Sequence, residues 1–87
     1  MLKGTTKTGF HYVLSEKRLN NYELVDSLGK LESDPLQLSR VVNLLLGQEY
    51  ADKLVEHVRD DEGLVPIDKL SDEIKDIFEK QKQVKNS

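Results

Sequence analysis

The chain has no cysteine among its 87 residues. That excludes a disulfide framework, a thiolate nucleophile and a zinc–thiolate site. No window approaches the roughly 20 apolar residues of a membrane span, and the polar, basic stretch Met1–Thr8 holds no apolar core of secretory-leader length. A cytoplasmic protein is therefore expected. Positive charge is not in excess either: 13 Lys and Arg stand against 16 Asp and Glu, a net charge of -3, so the basic footprint of a nucleic-acid binder is missing. The five glycines are scattered singly at positions 4, 9, 29, 47 and 63, which rules out a glycine-rich phosphate loop. None of the six serines lies in a G-x-S-x-G context. His11 and His57 are the only histidines, with no short ligand spacing between them. No catalytic residue, cofactor, metal, nucleic acid or membrane partner is expected.

What is present is a helical pattern. Seven of the eleven residues from Leu36 to Leu46 are apolar. Asp34-Pro35 opens this run as N-cap and first-turn residue, Gln37 sits where a capping-box partner sits, and Gly47 closes it. Leu38, Val41, Val42 and Leu45 share one face at about 100° per residue, whereas Leu36, Leu44 and Leu46 project elsewhere. An earlier helix starts at the capping pattern Asn20/Glu23, carries Tyr22, Val25 and Leu28 at every third position with Leu24 and Leu31 one step round, and ends at Gly29 and Ser33-Asp34-Pro35. A third runs from about Gln48 to Arg59 over Ala51, Leu54, Val55 and Val58. After the turn Asp60-Asp61-Glu62-Gly63, Ile67, Leu70, Ile74 and Ile77 mark a fourth amphipathic helix, with Ser71 as an alternative start. Phe10, Tyr12 and Leu14 alternate as in a short strand. Its partner is expected to be another copy, another protein, or the extended pair Leu64-Val65. The fold expected is mostly α: one domain over residues 1–87, a small bundle of about four short helices with a short N-terminal β element. Residues 1–8 and 81–87 are expected to be disordered.

Each cluster also has a plain structural reading. The acidic run at Asp60 lacks the spacing of a calcium loop, because Gly63 comes too soon and position 69 is Lys69. Asp72, Glu73 and Asp76 in the first turns of the fourth helix suit its positive end. The second and third helices around Gly47 could be taken for a helix-turn-helix, yet Glu49, Asp52, Glu56 and Asp60 make the would-be recognition helix acidic. Leu36, Leu44 and Leu46 fit either a helix central to the bundle or a protein-binding and self-association surface, and the two readings are compatible. With Phe10 and Tyr12 on an unpaired strand, these leucines form the candidate protein-binding set.

Three segments carry a family resemblance. They are Lys7-Thr8-Gly9-Phe10 leading to Leu19–Asp26, Asp34-Pro35-Leu36 through Val41–Gly47, and His57–Pro66 followed by Glu73-Ile74 and Ile77-Phe78. In this collinear order, with a terminal Lys85-Asn86-Ser87, the chain resembles the small tail assembly proteins, or tail assembly chaperones, of long non-contractile-tailed phages and prophages of Gram-positive bacteria. The resemblance implies a non-catalytic protein that acts during tail morphogenesis. It would bind the helical, aggregation-prone tape measure protein until tail-tube subunits replace it, and it would be absent from the finished virion. It also implies self-association along the tape measure, and in many such phages a longer product made by ribosomal frameshifting. Rival readings are a small DNA-associated, transcription-regulating phage protein and a structural virion connector subunit.

Overall fold

The computed structural model describes the backbone of residues 1–86 and the side chains of residues 1–81. It is mostly α with a small N-terminal sheet. Strands β1 (Leu2–Thr5) and β2 (His11–Leu14) precede helices α1 (Glu16–Leu19), α2 (Tyr22–Lys30), α3 (Leu38–Val58) and α4 (Ile67–Asn86), with a 3-10 turn at Pro35–Gln37.

The strand at His11–Leu14 finds its partner in the segment expected to be frayed. β1 and β2 pair antiparallel, Leu2 opposite Leu14 and Gly4 opposite Tyr12. The turn between them closes through Thr6 N–H donating to the Phe10 carbonyl at 2.9 Å and Gly9 N–H to the Thr6 carbonyl at 3.0 Å. Leu64-Val65 takes no part in the sheet. Gly4 is what admits this pairing: a Cβ there would stand 2.3 Å from the Tyr12 hydroxyl oxygen. The expectation of disorder over residues 1–8 is therefore corrected, and that over 81–87 falls largely on residues whose side chains are not described. Gln81 is buried and its Nε2 donates to the Tyr12 hydroxyl at 2.8 Å, the α4 backbone continues to Asn86, and Ser87 lies outside the described residues.

Helix starts follow side-chain caps. Ser15 caps α1, a helix missing from the sequence reading, by accepting from Lys17 N–H. Asn21, one residue later than expected, caps α2 by accepting from Glu23 N–H. Asp34 accepts from Leu36 N–H through one oxygen and from Gln37 Nε2 through the other, both at 3.1 Å. The turn that this opens is 3-10 before it relaxes into α3. Gly29 does not stop α2, which runs on to Lys30.

The second and third expected helices join into the 21-residue α3 with a kink at Gly47. Gly47 has φ 79° and ψ 166°, a region open almost only to glycine, rather than the left-handed geometry of a terminating cap. The chain re-enters a helix at once, so the extended ψ redirects it instead of ending it. The carbonyls orphaned at the break receive the Arg18 guanidinium, whose Nη1 lies 3.4 Å from both Asn43 O and Leu44 O. Leu24, Leu38, Val41, Val42, Leu45, Leu54, Ile74 and Ile77 form the centre of the core with Tyr12 and Leu14 of the sheet. α3 is its hub: β2, α1, α2 and α4 all pack on it.

Candidate protein-binding surface

The five residues singled out for binding part company in the structure. Leu36 is 87% exposed, on the 3-10 turn ahead of α3. Leu44 is half-buried against the core. Leu46 is only 5% exposed and belongs to the core, since α1 lies across α3 at the kink, with Arg18 over Gly47. Phe10 and Tyr12 are core residues as well. Their face of β2 turns toward α3, and β1 closes one edge of the strand. Of the set, only Leu36 stands free on the surface.

Other apolar residues remain accessible. α2 carries two apolar stripes, and only one can face α3. Leu24 and Ser27 are buried, and Ser27 Oγ accepts from Arg40 Nε at 3.1 Å while the same guanidinium reaches Glu23. Tyr22 and Val25, read from the sequence as the apolar series, consequently face outward at 76% and 51% exposure. The signal that separates the stripes is Leu24, Ser27, Leu28 and Leu31 at i, i+3, i+4 and i+7, disguised by a serine at a core position.

α2 and α4 both lie on α3 but scarcely touch each other. Between them runs an open channel of about 680 Å³. Leu28, Leu31 and Phe78 floor it, Val25 and Gly29 form one wall, and Glu32, Lys75 and Glu79 stand at its rim. A smaller apolar cavity of about 290 Å³ sits in the crook of α3, between Val42, Ala51, Val55 and Leu70.

A third feature is polar. Glu73 on α4 is 4% exposed, and both of its oxygens are used: Oε1 accepts from the Thr6 hydroxyl at 2.7 Å and Oε2 from the Thr8 hydroxyl at 2.8 Å. With the Thr8 proton directed to Glu73, the His57 Nε2 that lies 3.0 Å from Thr8 Oγ1 must be the donor. The imidazole also packs on Phe10 with ring centroids 5.4 Å apart. Next to this, Asp76 accepts from Lys7 N–H at 2.9 Å. The sequence reading gave Glu73 and Asp76 only a helix-end role; in the fold they latch the hairpin turn onto α4.

Comparison with protein-family models, with curated proteins and with solved structures finds no match.

Proposed function

We propose that the chain is a non-catalytic chaperone of phage tail assembly, binding the tape measure protein in the host cytoplasm until tail-tube subunits displace it. The observation that carries the reading is the exposed apolar pair Tyr22 and Val25 on α2, beside a channel floored by Leu28, Leu31 and Phe78. A small domain that leaves such surface uncovered can shield the apolar stripe of a client helix, in the helix-in-groove mode. The collinear resemblance of the sequence to tail assembly chaperones supplies the identity of the client. The chain's own net charge of -3 argues for a protein rather than a nucleic-acid partner.

The test is co-expression with the tape measure protein encoded in the same genome. The soluble yield of tape measure protein should rise, and the two should co-purify. An unchanged yield, whether with this chain or with a longer product that contains it, overturns the assignment.

A further inference from the structure

We propose that the channel between α2 and α4 receives a single amphipathic helix whose apolar stripe is flanked by lysine or arginine. The inference rests on the chaperone reading for the nature of the client and on the structure for the place and the charge.

Two helices that both rest on α3 without meeting leave a slot shaped for one more helix. The floor is apolar, and one such helix completes a four-helix arrangement. Gly29 gives an independent reason. It sits inside α2, where glycine is the least favourable residue after proline. Its φ is not in the left-handed region, and a Cβ placed there would meet nothing within 4 Å. Nothing within the described fold calls for glycine at that position. A partner backbone approaching the channel wall does.

Charge selects the occupant. Among the described residues lining the channel, Glu32 and Glu79 stand at the rim against Lys75. None of the three side chains has an ion-pair or hydrogen-bond partner among the described residues, a condition they share with those of Glu16, Asp61, Glu62, Asp68 and Asp72, so each rim charge is open to a partner. A second copy is a poor fit. Its α2 and the residues just after would bring Glu23 and Asp26, already neutralised by Arg40 and Lys30, and a further unpaired Glu32, so it offers the rim glutamates no spare cation. A helix with basic flanks meets complementary charge.

The test uses the full chain and two synthetic helical peptides of about 20 residues that share one leucine stripe, flanked by lysine in one and by glutamate in the other, titrated by fluorescence anisotropy. The lysine peptide should bind at least about tenfold more tightly. Val25→Asp and Gly29→Trp should each weaken that binding about tenfold or more while circular dichroism stays as in the parent and the melting temperature does not fall. The double change Glu32→Lys with Glu79→Lys should reverse the preference between the peptides. Lysine-peptide binding that survives both channel variants overturns the proposal, as does sedimentation showing a dimer of the parent chain that Val25→Asp dissolves. If those variants still solubilise tape measure protein, the channel assignment fails and the chaperone reading stands. If the peptides bind as described while tape measure protein is not helped, the channel stands and the chaperone reading fails.

Discussion

At the scale of single residues, one core leucine and two glycines give direct stability tests. Leu45 has no exposed surface in the centre of the core. Leu45→Ala should cost about 2–5 kcal/mol, the removed methyl groups plus the cavity left behind, out of a total of about 5–15 kcal/mol for a domain of this kind; urea denaturation reads it directly. Gly47→Ala meets two obstacles, the positive φ and the Arg18 guanidinium 3.2 Å from the new Cβ. It should lose about 1–3 kcal/mol, and a melting temperature equal to the parent's would show that the kink tolerates another residue. Gly29→Ala has the opposite sign. Its Cβ enters open space, so it should raise the stability of the isolated chain by up to about 1 kcal/mol. A substitution that stabilises the free protein and weakens client binding would separate the two demands on α2.

At the scale of elements, the hairpin has its own ladder, packs β2 on α3, and takes its polar anchors from α4. Two strands alone are marginal in water. Here Thr6 and Thr8 donate to Glu73, Gln81 donates to Tyr12, and Lys80 Nζ donates to the Thr5 carbonyl at 2.6 Å. Glu73→Gln places an amide N–H₂ against a hydroxyl whose proton it cannot accept. It should cost about 1–3 kcal/mol, and amide exchange in β1 and β2 should accelerate before exchange in α3 does. Uniform acceleration across both would show that the latch acts on the whole fold instead. The same elements show where the sequence was legible. Asp34-Pro35 marks a real boundary and Gly47 a real kink, because both act on the backbone locally. Leu70, Ile74 and Ile77 mark the core face of α4 because burial repeats with the helix period. β1 escapes notice because Gly4, one of its two inward positions, offers no apolar side chain to alternate with Leu2. Its place depends on the Tyr12 ring, which only the folded chain brings over it. Tyr22 and Val25 mislead for a related reason: periodicity reports that a stripe exists, and packing on α3 decides which stripe is buried. Of the candidate binding set, Leu36 is exposed and Leu44 half-buried. Phe10, Tyr12 and Leu46 became core through β1, α1 and α3, contacts between segments that no local pattern records.

At the scale of the whole molecule, α3 organises the rest, and exposed apolar residues lie on its periphery. Leu36 stands apart from the core, so Leu36→Asp should leave the melting temperature within about 0.5 kcal/mol equivalent of the parent. Leu46→Asp, by contrast, buries a charge and should unfold the domain. Circular dichroism melts of the pair check the assignment. A collapse of both would mean that Leu36 is covered in solution, by a second copy or by the domain itself. Tape measure co-expression with Leu36→Asp then reads whether the 3-10 turn belongs to the client surface: an unchanged yield assigns the work to the channel alone.

The latch between hairpin and α4 also fixes an order of events during synthesis. Thr6 waits 67 positions for Glu73, and Tyr12 waits 69 for Gln81. While the ribosome adds α1, α2 and α3, the hairpin has neither its carboxylate anchor nor its amide partner, and Phe10, Tyr12 and Leu14 have only part of their final cover. Contacts this distant along the chain are the slow ones to close. The segment translated early is thus among the last to become native, and the emerging polypeptide must pass through a stage at which a protein proposed to shelter others has a sticky flank of its own to protect.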